Sequence, residues 1–332
     1  MDIRNTRQLK TAAAERVANA PQEKRIVLIY GLILTALALL STGLRFFLGL
    51  QIEDLGGLSN MASRSALSTL QSMLPLIQSM VTMCLTLGYT AAMLRIARGQ
   101  YSSPNTLRLG FDRLWVLLRC AVIQGFIYAG LGIAAIYVAS MLFVLSPFSA
   151  AFAEQAAPLL SQSTLLSPEM AIDEAAVAAL IPSMIPMFLM AAMVACLLVV
   201  PVSFRFRMVN YILIDKPGIG AMAALRESRK MMRGNCLKLL KLDLSYWWYF
   251  LILLAASMIG NADLWLPLMG VELPMNADFA YFFFFILYLA LQLAAYYFLR
   301  NRLETTYALV YDTLKPQEPE SNGVVLGNIF RM

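Results

Sequence analysis

Long runs of apolar residues alternate with polar gaps along the chain, and this pattern predicts membrane-spanning helices. The hydrocarbon core of a bilayer, about 30 Å thick, is crossed by roughly 20 apolar residues in a helix, because backbone groups in lipid must satisfy their own hydrogen bonds. Six runs approach or exceed this length, and the fifth, short before Gly260, is the weakest. The predicted spans are approximately Ile26–Leu48, Leu67–Met93, Val116–Leu145, Leu180–Val202, Leu244–Ile259 and Phe279–Leu299. We therefore expect an all-α protein, a polytopic transmembrane helical bundle with six spans.

The composition agrees with a chain that folds in lipid. Hydrophobic residues make up 60% of the sequence and charged residues 14%, and the mean hydropathy is +0.67. Soluble domains are about 45–50% apolar and about 25% charged, so this chain could not cover its apolar surface in water. The first run exceeds the usual signal-peptide core of about 7–15 residues, and no small-residue cleavage site follows Leu48. We expect this run to remain as an anchor.

Basic residues mark one side of the predicted membrane. All of the 26 lysines and arginines except Arg45 and Arg64 lie in or beside the N-terminal segment, the second and fourth gaps and the C-terminal segment. The other gaps carry acidic residues such as Glu53 and Asp54. The positive-inside rule therefore predicts a multi-pass protein of the cytoplasmic membrane with both the N-terminus and the C-terminus in the cytoplasm. The net charge of +6 then follows from topology, and we expect no nucleic acid partner.

The basic gaps recur in a form that suggests three repeated hairpin units. Each even-numbered span ends in two arginines, and a basic amphipathic stretch precedes each odd-numbered span. These stretches, which we expect to form amphipathic cytoplasmic helices, are Arg7–Arg25, Thr106–Leu118 and Ala221–Leu240. The alternative is that any hairpin obeying the positive-inside rule acquires basic flanks without duplication.

The same pattern divides the chain into three predicted segments. Residues 1–25 form a cytoplasmic amphipathic N-terminal segment, residues 26–314 the six-span membrane domain and residues 315–332 a disordered cytoplasmic tail. The outer gaps 146–178 and 260–278 are long, and their residues indicate no role.

Residues that perform catalysis are scarce in this sequence. Histidine is absent, which excludes a Ser–His dyad and a zinc site of the H-E-x-x-H type. No Asp or Glu lies at the centre of a predicted span, and Cys84, Cys120 and Cys196 lie in apolar surroundings that keep a thiol unreactive. We therefore expect no enzyme activity, no cofactor and no metal site, and a function based on binding.

The basic gaps are the candidate site of that binding. An amphipathic basic helix can lie on an anionic inner leaflet, gaining about 1 kcal/mol for each cation near the surface, or it can dock a protein partner that remains unidentified. The oligomeric state is not indicated. The candidate cytoplasmic interaction face comprises Arg98, Gly99, Phe111, Arg113, Arg226, Arg229, Lys230, Arg233, Gly234, Asn235 and Lys238.

Three motifs in the basic gaps resemble a known family. They are Leu94–Gly99 followed by Gly110–Arg113, then Tyr211–Pro217 followed by Gly234, Asn235 and Lys238, and finally Tyr307–Tyr311. This combination resembles the bacterial six-helix integral membrane family known as domain of unknown function 975, and distantly the membrane domain of glycerophosphodiester phosphodiesterases. The resemblance implies a six-helix membrane fold and no assigned activity.

Two functional hypotheses follow. The first is a non-catalytic membrane scaffold or regulator whose basic cytoplasmic helices engage anionic lipid or a partner. The alternative is a transporter or export accessory for an amphiphilic lipid or peptide, which would need a cavity beside the helix-bending residues Pro182 and Pro186.

Overall fold

The structure, a computed structural model, describes residues 5–54, 61–163, 174–268, 271 and 276–315. Every regular element in these ranges is a helix, which confirms the predicted all-α class. The longer helices are α2 (Glu23–Asp54), α3 (Met61–Ala97), α5 (Leu114–Val144), α6 (Phe148–Ser163), α7 (Glu174–Phe206) and α13 (Ala277–Ala295). The shorter helices are α1 (Thr6–Ala18), α4 (Leu109–Asp112), α8 (Val209–Asp215), α9 (Ala221–Met232), α10 (Cys236–Leu244), α11 (Trp247–Gly260), α12 (Ala262–Leu268) and α14 (Asn301–Leu314). A 3₁₀ turn over Pro104–Arg108 precedes α4, and a π-helical turn over Tyr296–Arg300 joins α13 to α14.

Five stretches of helix are long and apolar enough to cross a membrane, as in a multi-pass membrane protein. They are Glu23–Ile52, Ala62–Ala97, Leu114–Val144, Met184–Asp215 and Phe279–Leu314. The fifth predicted span differs, because α10 and α11 meet at a bend of 66°. Helix α11 has 14 residues and rises about 21 Å, less than the thickness of the hydrocarbon core. The described helices thus give five spans, or six if α10 and α11 form one bent span, and the three-hairpin repeat stays a prediction.

The chain divides into two compact units. The first comprises Met1–Leu118 and Met208–Met332, and the second comprises Arg119–Arg207. Within the second unit, large apolar side chains such as Phe126 and Leu197 are 77% and 74% exposed, which is typical of helices that face lipid rather than water. Its α5 and α6 meet through the rings of Phe143 and Phe152, whose centroids are 5.9 Å apart.

The buried core of the first unit lies around the basic ends of its helices. Tyr30 of α2 and Tyr89 and Met93 of α3 are completely buried, and α14 packs against both α1 and α3. The continuous helical stretch Phe279–Leu314 has 36 residues, a rise of about 54 Å, so it extends well past a hydrocarbon core of about 30 Å. Many of the buried residues of the first unit lie in the C-terminal half of α3 and in α14.

An arginine surrounded by tyrosine rings lies in this core. The Arg300 guanidinium, at the end of the π-helical turn, lies 4.4 Å from the ring centre of Tyr296, 5.0 Å from that of Tyr30 and 5.4 Å from that of Tyr89. The rings of Tyr30 and Tyr89 stack at 4.5 Å. Because a ring face attracts a cation, Arg300 links α2, α3 and the end of α13.

Two glycines allow the backbone segments of the first unit to touch. A Cβ atom at Gly110 would lie 1.9 Å from the carbonyl oxygen of Cys84, and one at Gly88 would lie 2.3 Å from that of Leu107. Helix α3 therefore packs directly on the 3₁₀ turn and α4. This close contact is the reason why the Gly110–Arg113 motif begins with glycine.

The amphipathic stretch that precedes the first predicted span packs its apolar face inside the protein. Helix α1 buries Leu9 and Ala13 completely and contacts α14 and α3. Its Lys10 Nζ donates a hydrogen bond to the Ser245 carbonyl oxygen at 2.5 Å and lies 4.2 Å from the Tyr246 ring centre. The apolar face of α1 is consequently not free to insert into a membrane surface, whereas Trp115 of the second stretch and Leu237 of the third are 70% and 79% exposed.

The third stretch, Ala221–Leu240, is two helices rather than one. Arg233 (φ −62°, ψ 119°) and Gly234 (φ +80°) form the centre of a type II turn that the Asn235 N–H closes onto the Met232 carbonyl at 3.0 Å. The positive φ requires glycine at this position. Helix α9 therefore ends at Met232, and α10 starts in a new direction.

The remaining predicted segments are only partly covered by the described residues. Helix α1 occupies most of the N-terminal segment 1–25, and α6 and α12 lie within the long outer gaps. Residues 316–332 of the predicted tail and the side chain of Pro182 lie outside the described residues. The predicted segment boundaries and the cavity beside Pro182 and Pro186 therefore stay predictions.

Candidate functional site

The basic end of the first unit contains two groups of charged residues with different surroundings. The first is the charge clamp, formed by Arg98, Asp215, Asp312, Lys315 and Tyr311. Arg98 follows the last residue of α3, Asp215 ends α8, and the other three residues belong to the end of α14 and the residue after it. The clamp thus joins the ends of three helices that are far apart in the sequence.

Arg98 contacts both carboxylates of the clamp. Its Nη1 lies 2.7 Å from Asp215 Oδ1, and its Nη2 lies 2.6 Å from Asp312 Oδ1. The Arg98 Nε also donates to both oxygens of Asp312, at 3.2 and 3.1 Å. The hydrogen bonds that Arg98 donates to the carboxylates of Asp312 and Asp215 raise the pKa of Arg98 above its ordinary value.

Asp215 is the centre of the clamp. Its Oδ2 accepts hydrogen bonds from Lys315 Nζ at 2.8 Å and from the Tyr311 hydroxyl at 3.1 Å, and its side chain is only 9% exposed. A carboxylate that receives two cations and a hydroxyl donor is a structural element, since without it Arg98 would lose one of its two carboxylate partners and Lys315 and Tyr311 would lose this acceptor.

The second group lines a groove along α9, which we name the basic groove. The groove has a volume of about 570 Å³, within the range of roughly 300–1,000 Å³ that is typical of ligand sites. Its lining residues on α9 recur every three or four positions, so they share one helical face. The basic groove is lined by Ala223, Arg226, Glu227, Lys230, Met231, Arg233, Asn235 and Leu314.

The cations of the basic groove have no acidic partner among the described residues. Glu227, the one acidic residue among the described lining residues, is paired with Lys216 at 2.6 Å. Arg226, Lys230 and Arg233 are exposed, and none of the ion pairs found among the described residues includes them. Within the part of the chain that the structure describes, the groove therefore presents three unpaired positive charges beside the apolar side chains of Met231 and Leu314.

The face of α9 that points away from the basic groove packs against the rest of the first unit and holds the helix in place. Ala224, Leu225 and Met232 are buried, and α9 packs against α8. Arg229 is exposed like its neighbour Lys230 but does not line the groove. The two residues therefore have the same charge and helix environment and differ in their position relative to the groove.

The structure divides the predicted interaction face into two parts. Arg98 is held in the clamp, and Arg113 Nη1 donates to the carbonyl oxygens of Leu213 at 2.8 Å and Pro217 at 3.0 Å. Gly99 has a φ of +73° and caps α3 in a Schellman motif, in which the Gln100 N–H bonds to the Arg95 carbonyl at 2.8 Å. These three residues serve internal contacts.

The other predicted residues lie at or near the groove or on the surface. Asn235 accepts a hydrogen bond from Lys238 Nζ at 2.8 Å and donates to the Met231 carbonyl at 3.2 Å, which positions one edge of the groove next to Gly234. Phe111 is 45% exposed. The residues with exposed cationic side chains are Arg226, Arg229, Lys230 and Arg233.

Sequence reasoning missed the acidic residues of the clamp and the apolar lining of the groove. Asp215 stands in a gap that is otherwise mostly basic, and this was the available signal, whereas Asp312 lies in a C-terminal segment with equal numbers of acidic and basic residues and had no such signal. Leu314 could not be assigned to the groove, because it comes from a helix about 80 residues after α9 and only the tertiary fold brings it there.

Comparison with known proteins gives one match. The family model described as Protein of unknown function (DUF975) matches residues 8–317. Because this match covers nearly the whole chain, the chain belongs to that family, which confirms the resemblance of the three motifs. No curated protein and no solved structure matches the chain. The likeness to phosphodiesterase membrane domains stays a prediction.

Proposed function

We propose that this member of the DUF975 family is a non-catalytic scaffold or regulator of the bacterial cytoplasmic membrane that binds anionic lipid headgroups at its basic groove. In this proposal both termini and the groove lie in the cytoplasm, next to the inner leaflet. The observation that carries the proposal is a set of three cations without an acidic partner among the described residues, Arg226, Lys230 and Arg233, around a groove with apolar lining.

The chemistry of the groove supports an anionic amphiphile as its ligand. The exposed cations can contact a phosphate group, and Arg226 and Arg233 can do so with two parallel hydrogen bonds each. Met231 and Leu314 offer apolar contact beside the cations, as the start of an acyl chain would need. A soluble inorganic anion would use only the first of these features.

The burial of the amphipathic faces supports binding of headgroups rather than insertion into the bilayer. Most of the apolar residues of α9 are buried inside the first unit, with Met222 as a 63% exposed exception, so the helix would meet a membrane mainly through its cationic side. Each cation near an anionic surface contributes about 1 kcal/mol. Three cations therefore account for a clear preference for anionic lipid.

The surroundings of Glu227 support a non-catalytic role. A general acid or base needs a proton-transfer partner within hydrogen-bond reach of a substrate, but the carboxylate of Glu227 is engaged by Lys216 at 2.6 Å. The groove has no histidine to act in its place, because the chain contains none.

The direct test compares two soluble short-chain lipids that differ in headgroup charge. The purified full-length protein in zwitterionic nanodiscs would be titrated with dihexanoyl phosphatidylglycerol and, separately, with dihexanoyl phosphatidylcholine. We expect affinity at least tenfold higher for the phosphatidylglycerol. Equal affinity for the two lipids would contradict the proposal and favour a protein partner for the basic face.

A further inference from the structure

The C-terminal segment of the chain begins at the edge of the basic groove. Leu314 lines the groove, and the next residue, Lys315, is fixed to Asp215 of the charge clamp at 2.8 Å. The Lys315 N–H also bonds to the Tyr311 carbonyl at 2.8 Å. The point from which residues 316–332 continue is therefore held within the clamp, beside the three cations.

The sequence of residues 316–332 is complementary to the groove. Glu318 and Glu320 come first and are followed by the apolar run Val324–Leu326. The order of acidic and then apolar residues matches a groove that offers Arg226 and Lys230 together with apolar side chains. Residues 316–330 contain no lysine or arginine, so no positive charge opposes this match before Arg331.

The distances allow this contact without movement of the helices. An extended chain spans about 3.3–3.6 Å per residue, so Glu318, four residues after Leu314, reaches up to about 14 Å from it. The run Val324–Leu326 is long enough to return to the groove after a turn at Gly323. A segment tied this closely to its site has an effective concentration in the millimolar range.

We infer that residues 316–332 bind the basic groove of the same chain and compete there with anionic lipid. Glu318 and Glu320 neutralise the cations of α9, and Val324–Leu326 covers Met231 and Leu314. With an intrinsic dissociation constant of about 0.1 mM, a millimolar effective concentration fills the groove in roughly nine molecules of ten. The regulatory consequence of this contact rests on the proposed function, whereas the contact itself does not.

The contact is tested by crosslinking in the full-length protein. A photoreactive p-benzoylphenylalanine at position 325 should crosslink to peptides of α9 that contain Lys230 and Met231, and Lys230→Glu should reduce this product several-fold. Arg229→Glu, with the same charge change outside the groove, should leave it unchanged. Crosslinks confined to other parts of the protein, or insensitive to Lys230→Glu, would overturn the inference.

The competition is tested by lipid titration of three proteins. We expect deletion of residues 316–332 to raise the affinity for dihexanoyl phosphatidylglycerol about tenfold, and Glu318→Gln with Glu320→Gln to give part of that gain. Ser321→Ala with Asn322→Ala is the matched control and should leave the affinity unchanged. Strong phosphatidylglycerol binding that is the same with and without the segment would overturn the competition and leave the proposed function intact.

Discussion

The charge clamp and the basic groove lie in the same unit and draw on the same excess of arginine and lysine, but they use these residues differently. In the clamp, Arg98 contacts Asp215 and Asp312 at 2.7 and 2.6 Å. In the groove, Lys230 and Arg226 have no acidic partner among the described residues. Cations that pair with these two carboxylates stabilise the fold, and the cations of the groove, which lack such a pair, remain available to a ligand.

This difference changes how positive-inside charge should be interpreted in a membrane protein. The rule explains why basic residues gather at one end, but it does not say which of them bind. Motif residues such as Arg98, Gly99 and Gly110 are accounted for by internal pairing, helix capping and close packing. The exposed cations of α9 are the residues that the fold itself does not use.

The largest effect on stability is expected for a change in the packing of α4 against α3, the helix that Arg98 of the clamp follows. Gly110→Ala would place a Cβ atom 1.9 Å from the Cys84 carbonyl oxygen, and a backbone atom cannot move aside as a side chain can. We expect a loss of about 3 kcal/mol in the free energy of unfolding, measured by denaturation in detergent. Gly130→Ala is the control, since nothing lies within 4 Å of its Cβ position and its effect should stay within about 1 kcal/mol.

A somewhat smaller effect is expected for removal of the central carboxylate. Asp215→Ala leaves Arg98 and Lys315 without one of their partners, and breaking such a pair costs about 3–5 kcal/mol when it is fully buried. Because Arg98 is 29% exposed, we expect about 2 kcal/mol, seen as a lower thermal midpoint. Lys230→Ala should shift the midpoint little. Equal shifts for the two variants would remove the distinction between clamp and groove.

The smallest effect is expected for a change of ionic strength, which should alter the affinity for lipid but not the stability of the clamp. Raising the salt concentration from about 0.05 to 0.5 M shortens the Debye length to less than half, which weakens binding at exposed cations more than contacts between partly buried groups. We expect the affinity for dihexanoyl phosphatidylglycerol to fall roughly threefold to tenfold, while the thermal midpoint changes little. A binding affinity that is independent of salt would mean that the groove cations do not contact the ligand.

The sequence predicted the helices well because span length and hydropathy are local properties. The predicted spans from Ile26 and from Leu67 correspond to α2 and α3, and basic residues gather at the helix ends. The bend before α11 was not predicted, because neither glycine nor proline lies between α10 and α11. The break at Gly234 had a local signal, a glycine inside an amphipathic pattern.

The candidate site was predicted only in part, since its two halves depend on contacts over long sequence distances. Arg98 pairs with residues 117 and 214 positions away, and no local pattern reveals such a pair. The cationic residues of the groove were all within the predicted face. Its apolar lining by Leu314 and the occupation of Arg98 and Arg113 by internal partners became apparent only from the fold.

The central claim is that position in the basic groove, rather than positive charge alone, determines ligand binding. The most direct measurement compares Lys230→Glu with Arg229→Glu, each in the protein without residues 316–332, in titrations with dihexanoyl phosphatidylglycerol, after both variants are shown to have the thermal midpoint of the protein that lacks only this segment. We expect Lys230→Glu to weaken binding about tenfold, or about 1.4 kcal/mol, and Arg229→Glu to weaken it less than twofold. Equal losses for the two variants, or no loss for Lys230→Glu, would contradict the account.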